Sequence, residues 1–369
     1  KERVICGKLK KMKTVITMNM KKILLAALFG ALMFTLGVGI GFAAPTVEEI
    51  PLTDIDGVYV GNAQDTAAKT GVTVAIFPNG ARVGVDISGG GPASRETPVI
   101  LPTTAPTPVN AIVLAGGSAY GLAASDGVMS YLEEHGIGYD TRAALVPIVV
   151  QSDIYDLTYG SGKIRPDAKM GRAACENAMR RKNFASGSIG AGTGATVGKM
   201  CGMARSMKSG LGVYAVQIGD LKVAAIVAVN ALGDVYDERD GKKIAGLTNE
   251  KRDGFDDTRE ILYKLAAPKD LFRENTTIGM VITNGDFDKT QLTKLAAMTT
   301  NAYARSIRPV GTLADGDTVY AASCGEVKAD LNMAGTLAAD VMSEAIRRAV
   351  LSAKMTDKEY LANCWIPKE

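Results

Sequence analysis

The chain has 369 residues, with 42 Lys or Arg, 39 Asp or Glu and a single histidine. Residues 1–43 hold eight Lys or Arg and one Glu; the whole chain is +3, so residues 44–369 carry −4, which disfavours a nucleic-acid partner because nonspecific phosphate binding needs a basic surface. One imidazole nearly closes the His-dependent routes to an activated hydroxyl. Cys175, Cys201, Cys324 and Cys364 lie outside any metal-ligand or CxxC spacing, so no zinc site is expected.

The chain opens basic (Lys8 to Lys22) and then runs uncharged from Ile23 to Ala43, ending in Gly41-Phe42-Ala43-Ala44-Pro45. This pattern predicts a secretory signal peptide over residues 1–43, with cleavage after Ala43 and a periplasmic or secreted location. A retained membrane anchor is the alternative. The remaining residues, 44–369, suffice for one or two domains. Thr73 to Phe77, Pro78-Asn79-Gly80 and Ala81 to Ile87 predict a hairpin. Ala111 to Ala115 reads as a strand covered on both faces, broken by Gly116-Gly117. A helix follows from about Ser118, and His135 before Gly136 fits its C-cap: a cation suits the negative helix end and the glycine takes the left-handed position.

Leu145 to Val150 predicts another buried strand, and Asp167 to Arg180 a helix; Gly187 to Gly198 is a glycine-rich loop. Gly212 to Gln217 and Leu221 to Ala231 form a second hairpin about Gly219-Asp220. Leu232 to Glu274 is the most charged stretch and reads as a solvated connection, with a helical turn or two at Ile261, Leu262 and Leu265. An apolar strand begins at Thr276. Asp288-Lys289-Thr290-Gln291 is a helix-start box for a helix to about Ile307; Asp317 to Ser323 is a strand and Ala334 to Ala353 a long helix. Strands and helices mix without strict βαβ order, which favours a layered α/β sandwich over a doubly wound sheet. The cysteines read mostly as buried small apolar residues; one disulfide is conceivable, with no pairing assigned.

Gly190-Ala191-Gly192-Thr193-Gly194-Ala195 meets the loose dinucleotide fingerprint, and Gly198-Lys199 resembles the end of a phosphate loop. Met200 stands where that loop needs Ser or Thr, and no strand precedes the glycines, so no nucleotide cofactor is expected. The glycines can instead let the backbone approach a substrate or another segment, placing Lys199 at a pocket edge; a surface lysine is the alternative. Asn230 ends a run of seven apolar residues and is either a strand-end satisfier or an oxyanion donor. Tyr155 follows a buried strand, and Asp315-Gly316-Asp317 opens another and reads first as a turn. Asn275-Thr276-Thr277 is a glycosylation sequon. It also lies where a charged linker meets a buried strand, and scission there would make Thr276 a hydroxyl with its own α-amine as base.

Taken in order, Gly91 to Thr97, Gly116 to Leu122, Gly190 to Gly194, Val229 to Val235, Asn275 to Ile278 and Asp315 to Val319 resemble a known family. It is that of the self-cleaving peptidases, which includes L-aminopeptidase/D-Ala-esterase-amidase, the β-peptidyl aminopeptidases and the nylon-oligomer (6-aminohexanoate-oligomer) hydrolases. The likeness runs from about Leu52 to the last helix. It implies an α/β, four-layer αββα sandwich of the Ntn-hydrolase type and a single catalytic domain over residues 44–369. That domain is cut between Asn275 and Thr276 into residues 44–275 and 276–369, which stay together in a homo-oligomer of αβ units. It also implies hydrolysis of small peptide or amide substrates through an acyl-threonine, without cofactor or metal. Family roles then fall on Thr276 as nucleophile, Lys199 and Asn230 as its polar partners, Tyr155 near the oxyanion, and Asp315 and Asp317 beside the new amine. The Asn-Thr junction resembles the nylon-hydrolase branch, since the aminopeptidases typically cut between Gly and Ser. Asn62 departs from the family, where histidine is frequent, and bears on substrate choice. Two rival readings are an acyltransferase of the ornithine acetyltransferase type and a noncatalytic ligand-binding module built on the glycine-rich loop. Membrane association is expected only if the leader is retained.

Overall fold

The computed structural model describes residues 46–180, 184–264 and 275–366; the signal peptide expected over residues 1–43 and residues 265–274 ahead of the Asn275-Thr276 junction lie outside them. Among the described residues, ten strands form one continuous hydrogen-bonded system. They are β1 (Val47–Glu49), β2 (Tyr59–Asp65), β3 (Thr70–Ile87), β4 (Ala93–Arg95), β5 (Val109–Ala115), β6 (Val149–Asp153), β7 (Leu211–Ile218), β8 (Leu221–Asn230), β9 (Thr276–Gly285) and β10 (Thr318–Val327). The order β1-β7-β8-β9-β10-β3 makes one sheet; β3 then carries on into a second, ordered β2-β3-β5-β6-β4. Pairing is antiparallel except for β9 with β10 and β5 with β6.

The central strands are apolar on both faces, and their alternation decides the layering. Along β5, Ile112 and Leu114 enter the same apolar cluster as Ala224, Ile226 and Ala228 of β8 and Ile278, Met280 and Ile282 of β9. That cluster is the space between the sheets. The alternate residues turn outward. Ala111, Val113 and Ala115 meet Ala124, Val128 and Leu132 of helix α1 (Ala124–Glu134) and Ala174 and Ala178 of α2 (Ala168–Met179). Val223, Ala225, Val227 and Val229 of β8 meet α3 (Lys289–Thr299), α4 (Asn301–Ser306) and α5 (Leu331–Leu351). The result is the four-layer αββα sandwich.

The hairpin expected over residues 73–87 does not form. Ile76 pairs with Ala111 and Ala81 with Val109, so the chain continues in one direction past β5 with residues 77–80 bulging, and Arg82 to Ile87 go on to pair with β10. Gly80 takes φ 75°, and Phe77 is buried rather than exposed at a turn tip. A bulge bends the strand from one sheet to the other where a tight turn would reverse it. The buried strand expected at Leu145 to Val150 starts later, as β6, and Leu145–Val146 pairs separately with Tyr139–Asp140. The helix expected from Ser118 opens as a 3-10 turn, Ser118–Ala123, and the one opened by the Asp288 capping box breaks at Thr300.

The solvated connection is also corrected. Asp234–Tyr236 pairs with Lys243–Ala245 and Ile307–Arg308, and Asp234, Val235, Ala245 and Leu247 are buried. Asp234 can be buried because it is fully satisfied: it accepts from Leu247 N at 2.7 Å, Thr258 N at 2.9 Å, Thr258 Oγ1 at 2.8 Å and Lys243 Nζ at 2.7 Å. The helical turn does appear, as Thr258–Lys264. Of the four cysteines among the described residues, Cys175 is buried and Cys201, Cys324 and Cys364 are half-buried, and all four are free thiols.

Candidate active site

Three chain segments converge where β9 starts. Asn230, the last residue of β8, pairs with Thr276, the first of β9. On the other side Asn275 bridges in parallel to Asp315, just ahead of β10. Asn275, Thr276, Asn230, Asp315 and Asp317 are all buried, so this strand end is a polar cluster at the rim of an apolar core. A buried Asn275 also cannot carry a glycan in the folded chain.

The Thr276 hydroxyl donates to the carbonyl of Asn275, its own preceding residue. The same carbonyl accepts from Gly316 N at 2.9 Å. Asp317 accepts from Thr277 N at 2.6 Å through one oxygen and from Gly311 N at 2.9 Å through the other. Asp315 accepts from Thr312 N at 3.1 Å and Thr312 Oγ1 at 2.6 Å. The two carboxylates thus fix the backbone one residue either side of Gly316.

The glycine-rich loop brings Lys199 to the opposite side. Gly198, at φ 74°, turns the chain so that its own N–H reaches Gly233 O and that of Lys199 reaches Leu232 O, each at 3.1 Å. Lys199 is half-buried and its Nζ donates to Asn230 O at 3.0 Å, so the surface reading gives way to a position beside the residue that faces Thr276. Asn230 Oδ1 accepts from Thr196 N at 3.0 Å, and its Nδ2 donates to Tyr155 O at 2.9 Å. The Asn230 side chain thus ties the strand end to Thr196 and to the Tyr155 carbonyl.

Burial dominates the electrostatics. It pushes Asp317 and Asp315 up from the usual carboxylate range, and for Asp317 the charge of Asp315 adds to it, against the pull of backbone donors and Lys199. Asp156, which accepts from Thr70 Oγ1 and Gly117 N at 2.7 Å each, is pushed up to about 6 by burial, and Lys199 opposes this too. Lys208 is buried and pushed down to about 7; its Nζ donates to Gly192 O and Ala195 O at 3.1 Å each, and to Ser209 O. Three N–H groups meet three carbonyls, which fastens the glycine-rich loop from beneath.

Asp156 and Lys208 escape a reading of the sequence, which also gives Gly316 no role beyond its place in the Asp-Gly-Asp turn. Gly316 and Asp156 do stand beside singled-out residues, but Lys208 carries no local signal. The glycines of the loop pack against protein: a Cβ on Gly194 would lie 2.5 Å from Asp156 Cβ, and one on Gly190 2.2 Å from Asn62 Oδ1. Asn62 itself accepts from Thr73 Oγ1 at 2.6 Å and supports that loop from β2. His135 caps α1 as expected, its Nδ1 2.7 Å from Tyr131 O with Gly136 at φ 71°.

The layers define an Ntn-hydrolase fold. The L-aminopeptidase D-Ala-esterase/amidase from Ochrobactrum anthropi, described as a variant of that fold, superposes with a TM-score of 0.62 at 17% identity, over 84% of this chain and 90% of that one. The Burkholderia sp. β-aminopeptidase superposes at 0.57 and 20% identity, over 86% and 90%. The chain belongs to peptidase family S58, whose profile matches residues 51–360. It is 35% identical to an uncharacterized aminopeptidase of Mycobacterium leprae (strain TN), over 82% of this chain and 90% of that protein. It is 32% identical to a 6-aminohexanoate-oligomer endohydrolase of Kocuria sp. (strain KY2), over 81% and 84%. The protein is a hydrolase of peptide or amide bonds.

Proposed function

We propose that this chain cuts itself between Asn275 and Thr276 and then hydrolyses amino-terminated amides through an acyl-Thr276 intermediate. The observation that carries this reading is the contact of the Thr276 hydroxyl with the carbonyl of its own preceding peptide, at a buried strand end beside Lys199, Asp315 and Asp317. Attack of that hydroxyl on the Asn275 carbonyl carbon gives an ester by an N-to-O shift, and water resolves it. The amine released has a reference pKa of about 7.7 to 8.0, which suits a general base near neutral pH. It takes the place of an imidazole, since the one histidine caps α1.

In the cut enzyme the same hydroxyl attacks the substrate amide. Asp315 and Asp317 orient the ammonium, and Asn230 and Tyr155 stabilise the oxyanion once the strand end is freed. An approaching ammonium offsets the burial that holds these carboxyls up and favours their ionised form, so the pocket also favours substrates with a free amino end. Peptides and ω-amino-acid oligomers meet that requirement, consistent with the names borne by the relatives. Export by removal of residues 1–43 and assembly of αβ units into a homo-oligomer belong to the same proposal.

A denaturing gel with N-terminal sequencing, on native protein and on Thr276→Ala, tests it. The native protein is expected as two fragments, one beginning at Thr276, and the variant as one inactive chain. A single intact native chain with full activity would sink the proposal, and an intact inactive one would point to the ligand-binding module. Acyl transfer to amino-acid acceptors outpacing hydrolysis would reassign the enzyme as a transferase.

A further inference from the structure

We infer that the backbone N–H of Gly316 is the oxyanion donor of the self-cleavage step, separate from the side chains that serve the substrate. The inference rests on the self-cleavage reading above. Asn275 O accepts from both Thr276 Oγ1 and Gly316 N. To attack the carbonyl carbon the hydroxyl must turn away from the oxygen. The Gly316 N–H, at 2.9 Å, can stay where it is and meets the charge as it develops.

Three features separate this bond from an ordinary rung of the ladder. First, this bond belongs to the isolated Asn275–Asp315 bridge; regular pairing of β9 with β10 begins only at Ile278 with Thr318, and the intervening Thr277 N–H is taken by the side chain of Asp317. Gly316 nonetheless remains on the carbonyl to be broken. Second, Gly316 lies between two carboxyl residues, each held by hydrogen bonds to the 311–312 turn, so its N–H is aimed before reaction starts. Third, its missing side chain makes room for the nucleophile. A Cβ there would lie 2.9 Å from Thr276 Oγ1, 2.8 Å from Gly91 O and 3.2 Å from Pro92 Cα.

The step balances without any co-reactant but water. The Thr276 Oγ to Asn275 carbon bond forms, the carbonyl electron pair moves onto the oxygen facing Gly316, and collapse breaks the Asn275–Thr276 C–N bond. The hydroxyl proton ends on the Thr276 nitrogen. Water then splits the ester, leaving a carboxylate on Asn275 and restoring the hydroxyl.

Replacing Gly316 by glycolic acid, which puts an ester where the Asp315–Gly316 amide was, removes the N–H and keeps the shape. Cutting of the full chain is expected to slow about 10²- to 10³-fold, the usual cost of one oxyanion donor. Cutting within about threefold of native would overturn the inference while leaving the proposed function standing; a native chain that never cuts would fail that function itself. A second measurement needs no ester. In uncut Thr276→Ala, the Gly316 amide proton should exchange at least about a hundredfold more slowly than in an open peptide. Unprotected exchange there would also overturn the inference, even if the ester variant failed to fold.

Discussion

The two ends of β9 carry the same residue types and treat them in opposite ways. At the Gly285 end, Asp286 meets Arg82 at 2.5 Å and also Lys328, whose side chain is 85% exposed; these cations hold its carboxyl below the usual range. At the Thr276 end, Asp315 and Asp317 are buried, and burial drives them upward despite Lys199. Along β9 the pairing of charges is secondary to where the pair sits. In water a cation wins cheaply, whereas in a low-dielectric rim the desolvation of the carboxylate wins. The raised carboxyls therefore mark the Thr276 end as the candidate site.

The largest effect is expected at Asp317. In Asp317→Asn the amide nitrogen must face either the Thr277 or the Gly311 N–H, leaving a buried donor unpaired at a cost of about 1–3 kcal/mol. Both the melting temperature and the rate of self-cutting should fall. Native behaviour in both assays would mean that the buried end is no more sensitive than the exposed one.

Lys208 reports burial through pH. Its folded pKa of about 7 lies below the unfolded 10.5, so between those values the unfolded chain binds the extra proton and stability rises with pH. Below about 7 the cost of charging the buried amine is fully present. Lys208→Met lacks this slope. Its stability relative to native should be most favourable below pH 7 and decline toward pH 10, as read from denaturant midpoints across that range. Parallel pH curves for the two proteins would mean that burial does not govern Lys208. Asp286→Asn is expected to have the smallest effect: unchanged cutting, and a melting shift too small to separate from native, because exposed pairs contribute little. A loss of cutting in that variant would show that the two ends are coupled along β9.

Much of the layering was legible because it depends on local pattern. The apolar runs Ala111 to Ala115 and Leu221 to Ala231, the Asp288 box and the His135-Gly136 cap all act over a few residues, and each appears where the pattern put it. The bend in β3 was not legible, since Pro78-Asn79-Gly80 suits a reversal as well as a bulge, and only β5, thirty residues further on, decides between them. Asp234 misled for a related reason. Charge in the surrounding stretch suggests solvent, but its four donors come from residues 243, 247 and 258 and are visible only once the chain has folded.

The site divides along the same line. Residue type and order name the candidates: a threonine where a charged linker meets an apolar strand, a lysine after a glycine-rich loop, an asparagine at a strand end and two aspartates about a glycine. They can do so because they fix the chemical groups available. Tertiary structure alone decided that Asn230 faces Thr276 across β8 and β9, that Lys199 reaches that pair, and that Gly316 N–H lies on the Asn275 carbonyl. Those contacts join residues far apart in the chain, through a sheet register and a shared desolvated rim that no local pattern encodes.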